Sequence, residues 1–255
     1  MDYPEFNLTG GDIFHWPMLK VSYRTDPGCI AELLPPGISP GAEPIVNVTI
    51  YNFPVPDVPE HGVLTTVNAD YEGIEGEYTI GYGIDQESAI FISQHQNGQP
   101  KYPCEVQYHR VGKNVVARCI HQGYTFMEFE GASTGPAEHP EDFSQNEWWV
   151  KYSKAVGAAP DENYDFPPHV VHVRSDYGTA HCENVEGKLV LRDSPWDPFA
   201  SQLPMREQLS AQLWWPIFKN REIKLAGKLD PAEFLPYSDV ISGSRWPGTM
   251  GGPKR

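Results

Sequence analysis

A strict alternation of apolar and polar side chains marks the middle of this chain. Cys104, Val106 and Tyr108 interleave with Glu105, Gln107 and His109, the period-two pattern of a strand with one buried face. Arg110 to Asn114 then turns the chain into a second strand, Val115 to Ile120, and Gly123 turns it again into Tyr124 to Glu130. The pattern predicts an antiparallel meander. Further strands are expected at Met18–Tyr23 and Glu43–Phe53, with Val63–Tyr71 and Glu77–Tyr82 paired across Gly73–Gly76. His169–Arg174, Thr179–Asn184 and Lys188–Leu191 read as three more. Gln145–Lys154, with Trp148, Trp149, Val150 and Tyr152, suits a strand or a helix, and Met205–Lys219 is equally open. Periodicity does not separate the two when both faces carry large side chains.

Helix signals are few. Thr25-Asp26-Pro27 places a capping side chain before a proline in the first turn, leading into Cys29–Leu34, which Pro35-Pro36 ends. Asp85 is a second candidate cap, for a short helix turning Ala89, Ile90 and Ile92 inward. Asn7–Pro17 reads as an arm. Thr134–Asp142 and Pro160–Pro168 read as polar loops, with Glu138, Glu141 and Asp142 solvated, and residues 230–255 as a tail with Gly/Pro turns. The expected class is α+β, predominantly antiparallel β with few short helices, in one domain over residues 1–255.

Composition narrows the partners. The 23 glycines and 25 prolines are spread without period, which suits many short strands joined by turns. A formal charge of −15 argues against nucleic acid and anionic membranes, both of which need clustered Lys and Arg. A small molecule is left as the expected partner. No apolar run approaches the ~18 residues of a membrane span, and Met1-Asp2-Tyr3-Pro4-Glu5 lacks the basic start of a signal peptide, so a cytoplasmic protein is expected. The four cysteines show no C-x-x-C spacing and are expected to be free thiols. His169 and His172 are three apart among Val170, Val171 and Val173. That spacing joins ligands on a helix but splays them on a strand, so no metal site is expected.

One lysine stands out. Lys101 and Tyr102 lie between Pro100 and Pro103, whose rings restrict the backbone on both sides. An amine held at the mouth of a strand can be desolvated, and burial favours the neutral form that attacks a ketone to give an imine. The alternative is a solvated lysine in a Pro-rich turn.

A wider pattern bears on that choice. Tyr71 to Pro103 reads YEGIEGEYTIGYGIDQESAIFISQHQNGQPKYP, Tyr23-Arg24-Thr25-Asp26-Pro27 precedes Leu33-Leu34-Pro35-Pro36, and Asp197-Pro198 precedes Leu203-Pro204. In order and spacing these segments, spanning roughly Met18 to Tyr237, resemble the acetoacetate decarboxylase superfamily. Its Tyr-containing strand and Asp-led helix lead to an aromatic-Pro-Lys-Lys segment bearing the Schiff-base lysine. The resemblance implies a closed, barrel-like sheet with Lys101 facing an interior cavity, an imine on Lys101 without a bound cofactor, and a homo-oligomer, dimer or tetramer.

The departures are as informative. In acetoacetate decarboxylase a neighbouring cation lowers the pKa of the site lysine, and the family places a second lysine directly after the first. Here that position is Tyr102. By ungapped counting the family's arginine falls at Trp16, and its two site glutamates fall at Thr49 and Gly62. Four charged groups are thus missing from the matched positions, so efficient acetoacetate decarboxylation is not expected. The expected activity is a Schiff-base lyase on short 2-oxo acids, a pyruvate aldolase-dehydratase or a hydratase of unsaturated 2-oxo acids. The alternatives are a true β-keto acid decarboxylase and a non-catalytic binding barrel. Gln99 and Asn97 are candidates to hold the substrate, with Trp16, Gly62 and Tyr102 lining the site. Tyr82 and Tyr237 are candidate proton donors, each with core or interface packing as its other reading. Glu60 and His61, beside the vacated glutamate position, read as a surface turn, with entry into the pocket as their other reading.

Overall fold

The computed structural model describes residues 17–53, 59–157, 164–238 and 246. The chain starts with β1 (Met18–Arg24), followed by the helix α1 (Pro27–Leu33), the two-residue β2 (Ser39–Pro40) and β3 (Ile45–Phe53). β4 (Glu60–Tyr71) and β5 (Ile74–Ile84) form a hairpin. Tyr71 pairs with Ile74, so the turn is Glu72-Gly73 and is tighter than the sequence suggests. Both residues have positive φ, 54° and 81°, the combination a two-residue hairpin requires.

Helix α2 (Glu87–Asn97) then delivers the chain to β6 (Lys101–Pro103). It stops at Gly98, whose φ is 69°. A Cβ there would also lie 2.6 Å from the Lys151 backbone, so backbone and packing both demand glycine. The meander follows as β7 (Glu105–Val111), β8 (Asn114–His121) and β9 (Tyr124–Pro136). β10 (Asp142–Lys154), β11 (Tyr164–Leu191), the single-turn α3 (Phe199–Gln202), β12 (Glu207–Lys228) and a short 3-10 turn at Leu235–Tyr237 complete the described elements.

The strands form one sheet whose ladder closes on itself. Neighbours run β10-β5-β4-β3-β1-β12-β11, and β11 pairs back to β10. All these pairings are antiparallel except β10 with β5. β9, β8 and β7 continue from the second half of β11, outside the ring. Alternation along the strands gives the ring two different faces. Leu19, Val21 and Tyr23 of β1 and Val46, Val48 and Ile50 of β3 enter the large apolar core, which the meander also joins. Met18 and Lys20, with Thr49, Tyr51 and Phe53, line a cavity on the other face. Every ring strand contributes to that cavity, so it is the interior of the ring.

Several expectations are corrected. The three strands read between His169 and Leu191 are one 28-residue strand, β11. It exchanges its partner β10 for β9 between Gly178 and Glu183, where its ladder with β12 shifts register between Thr179 and His181. Gln145–Lys154 is strand. Trp148 enters the large core and Trp149 the smaller cluster of Tyr82, Val171 and Val173, so both are buried and alternation is absent for that reason. Met205–Lys219 falls largely in the extended β12, and β9 runs on through Thr134–Pro136. Neither expected cap works through its side chain. The Asp26 carboxylate pairs with Arg206 at 2.7 Å, and Asp85 accepts from the His61 backbone at 2.9 Å while Gln86 occupies the N-cap. Ile90 is buried but Ile92 is 62% exposed. The tail returns at Trp246, which packs on Phe199 and donates to Asp197 at 3.2 Å.

Candidate active site

Lys101 is fixed to the ring by its backbone. Tyr82 donates its N–H to Pro100 at 2.9 Å, Tyr82 pairs with Lys101 in parallel register, and the Gln94 side chain donates to the Lys101 carbonyl. The side chain is buried in the cavity of about 390 Å³. Its Nζ donates to Glu60 Oε2 at 3.2 Å, and the Tyr51 hydroxyl donates to Glu60 Oε1 at 2.8 Å. Glu60 is itself buried at the start of β4. Tyr51 reaches it by lying over Gly62, its cross-strand partner, where an added Cβ would stand 2.4 Å from the phenol. Burial, reinforced by the negative charge of Glu60, raises the Tyr51 phenol well above its ordinary value. The trio offers an amine, a carboxylate to take its proton, and a phenol that stays protonated.

Tyr82 forms the next part of the wall. Its hydroxyl donates to both oxygens of Glu147, at 3.2 and 3.3 Å. The hydroxyl of Thr79 and the indole N–H of Trp149 also reach Glu147. Burial nevertheless raises the Glu147 carboxyl, with the Thr79 hydrogen bond acting against it. Tyr82 is raised as well, by burial first and by Glu147 next. Burial thus favours the neutral form of both groups.

The remaining wall comes from β1, β11 and β12. The Lys20 ammonium sits 4.8 Å from the Trp214 ring centre. Although the residue as a whole is only partly buried, its crowded surroundings push the amine below its ordinary value, with Glu77 and Cys182 acting against burial. Trp214 packs edge-on against Tyr177 at 5.4 Å, and the Tyr177 hydroxyl accepts from Arg221 at 3.0 Å. Lys20, Lys101 and Arg221 oppose Glu60 and Glu77 in the lining, one excess positive charge inside a chain of net charge −15. Such a cavity favours anions over their neutral analogues.

The family model described as acetoacetate decarboxylase matches residues 4–229 of this chain. The chain belongs to the acetoacetate decarboxylase family. Among solved structures it is similar to acetoacetate decarboxylase from Legionella pneumophila, with a TM-score of 0.73, 15% identity, and 89% of this chain and 93% of that one covered. The enduracididine biosynthesis enzyme MppR, complexed with the condensation product of pyruvate and imidazole 4-carboxaldehyde, superposes with a TM-score of 0.62. It is 18% identical, with 81% of this chain and 86% of that one covered. At these identities the likeness shows a shared fold. The decarboxylase DEC1 of Cochliobolus heterostrophus is 26% identical over 110 residues, 40% of this chain. The match spans only 44% of that protein's length.

Within this acetoacetate decarboxylase fold the expected site residues separate. Lys101, Tyr82 and Gln99 line the cavity, and Gly62 shapes it by admitting Tyr51. Among the described residues nothing hydrogen-bonds the Gln99 carboxamide. Asn97 is not brought to the cavity wall. Tyr102, next to Lys101 on a strand, points to the other face and packs edge-on against His121 at 5.1 Å. Tyr237 donates to the Leu34 carbonyl at 2.8 Å, away from the cavity. Trp16 lies outside the described residues.

Of the two readings of Glu60, the pocket is the one realised. The residue stands in the cavity instead of on a surface turn, two residues before Gly62 and therefore on the same face of β4. The cavity is not stripped of charge by the departures from the family. Counting at matched positions left Glu60 open and passed over Lys20, Glu77 and Arg221. His61 instead binds Asp85 at 2.9 Å. His169 and His172 hold a backbone carbonyl and Asn146 respectively. Among the described residues no group of three His, Cys, Asp or Glu is placed to hold a metal ion, and no helix is long and apolar enough to cross a membrane.

Proposed function

We propose that this chain is an imine-forming lyase for short 2-oxo acids, joining pyruvate to an aldehyde with loss of water or adding water to an unsaturated 2-oxo acid. The observation that carries the reading is the 3.2 Å contact between the buried side chains of Lys101 and Glu60 in a cavity with excess positive charge. Glu60 takes a proton from the ammonium, and the free amine attacks C2 of the 2-oxo acid. Water leaves and a protonated imine remains. Glu60, having returned its proton to the departing water, accepts one from C3, which the imine acidifies, and the resulting enamine attacks the aldehyde carbon. Gln99 holds the substrate carboxylate, and Tyr82 gives its proton to the developing alkoxide. Loss of a second C3 proton together with that hydroxyl, as water, gives a conjugated product, and hydrolysis of the imine frees Lys101. MppR, a structural neighbour, was solved with a pyruvate condensation product, which supports chemistry of this class on the fold.

Borohydride trapping with pyruvate followed by peptide mass mapping tests the reading, together with ultraviolet detection of conjugated products from a panel of aldehydes. An adduct on Lys101 and a product with at least one aldehyde are expected. Absence of both an adduct and water addition to unsaturated 2-oxo acids would sink the proposal. Equal ligand binding by Lys101→Ala would favour a non-catalytic barrel. A second reading, β-keto acid decarboxylation, draws support from Glu60, which puts a carboxylate beside the lysine. Acetone release from acetoacetate at about 1 per second or faster would favour it; slower release is expected.

A further inference from the structure

The proposed chemistry uses the Lys101 end of the cavity and leaves two cations without a task. Arg221 is solvent-exposed as a residue yet lines the cavity, so it stands where the cavity meets water. Its Nε donates to Ser175 Oγ and an Nη2 N–H donates to the Tyr177 hydroxyl, each at 3.0 Å. A guanidinium carries five N–H donors; with these two engaged, three stay open to a ligand. Lys20 belongs to the same wall, since its amine lies 4.8 Å from the Trp214 ring and Trp214 lies 5.4 Å from Tyr177. Among the described residues neither cation makes an ion pair with a carboxylate. Glu77, the acid nearest in effect to Lys20, accepts from the Thr66 hydroxyl.

Two cations in one cavity wall, neither in contact with a carboxylate although Arg221 feels the buried Glu147 behind Tyr82, are completed most simply by an anion from outside. The guanidinium fork, held on one edge by Ser175 and Tyr177, matches a carboxylate in two-point contact, and the Lys20 ammonium adds a point charge. We infer that Arg221 and Lys20 form an anchor for the second reactant, so that the aldehyde joined to the 2-oxo acid is itself a short acid. The assignment of the anchored molecule as an aldehyde rests on the lyase reading, whereas the anchor itself requires no reaction. The new bond joins C3 of the Lys101 enamine to the aldehyde carbon, the carbonyl electron pair moves to oxygen with a proton, and water departs. The acid tail takes no covalent part; it fixes the aldehyde carbon over the enamine.

Succinic semialdehyde and its methyl ester, each reacted with pyruvate, differ at the anchored group alone. A kcat/KM preference of roughly tenfold or more for the acid is expected, the size of a charge-assisted hydrogen bond. Arg221→Gln should bring the ratio close to one, and Lys20→Met should reduce it. An unchanged ratio in Arg221→Gln would overturn the anchor. Calorimetric titration of the full chain with glutarate tests it without chemistry: at least about tenfold weaker binding is expected in Arg221→Gln, and equal binding would overturn it. The two readings fail separately. Absence of pyruvate trapping at Lys101 with Arg221-dependent glutarate binding removes the lyase and keeps the anchor. Trapping at Lys101 with an unchanged aldehyde ratio keeps the lyase and removes the anchor.

Discussion

Two lysines reach the same cavity and are held in different ways. Lys101, on β6, has a carboxylate at 3.2 Å and its backbone clamped between β5 and Gln94. Lys20, on β1, faces an indole and has its amine pushed below the ordinary value by its surroundings. Burial alone therefore does not select a nucleophile. Burial makes an amine easier to deprotonate, but attack on a carbonyl also needs an acceptor for the proton and a rigid aim. Lys101 has both. Lys20 has a permanent neighbour in Trp214, a face that suits a cation.

Removing Lys101 should have the largest effect. Lys101→Ala is expected to lower condensation or hydration by at least about 10³-fold and to abolish the borohydride adduct. An adduct that maps to Lys20 in the native protein would reverse the comparison. Glu60→Gln keeps the shape but removes the proton acceptor, so imine formation should slow by roughly 10²-fold while the adduct stays on Lys101. A rate within about twofold of native would leave Glu60 a structural partner only.

Gly62→Ala disturbs only the Lys101 end. The new Cβ collides with the Tyr51 phenol, which must leave Glu60. Overpacking of this kind costs about 1–3 kcal/mol, or roughly 2–4 °C in Tm for each kcal/mol in a chain of this size. Calorimetry showing an unchanged Tm would contradict the close fit of Tyr51 over Gly62.

The smallest effect concerns Glu147, behind Tyr82. Its carboxyl is raised in the folded protein, so the fold retains a proton that the unfolded chain releases first. The stability linked to this site is therefore present at low pH and is lost as pH rises through the ordinary carboxyl value of 4.5 toward the raised one. Glu147→Gln removes that titration. Its Tm relative to the native chain should rise as pH rises above the ordinary carboxyl value of 4.5. A difference independent of pH would mean that Glu147 is already ionised in the fold.

Much of the architecture was legible in local pattern. Cys104, Val106 and Tyr108 declared their buried face because one side of β7 meets solvent. Trp148 and Trp149 did not, because both sides of β10 are covered. The long β11 was hidden for a related reason: its neighbours change along its length, so no single alternation runs through it. Asp26 and Asp85 look like caps in sequence, yet Arg206 and His61 compete for their carboxylates from distant segments.

By itself the sequence determined a strand-rich chain, the stiff Pro-flanked setting of Lys101, and the membership in a family whose lysine forms imines. These depend on side-chain period, ring constraints on φ and the order of motifs along the chain. Only the tertiary structure decided what stands around the amine. Glu60, 41 residues before Lys101 in the chain, Tyr51 over Gly62, and Arg221 and Lys20 on the wall of the ring meet through cross-strand register. A shift of one residue in any ladder would send each of these side chains to the opposite face, so their meeting depends on how the seven strands close and on nothing in the local pattern of any one of them.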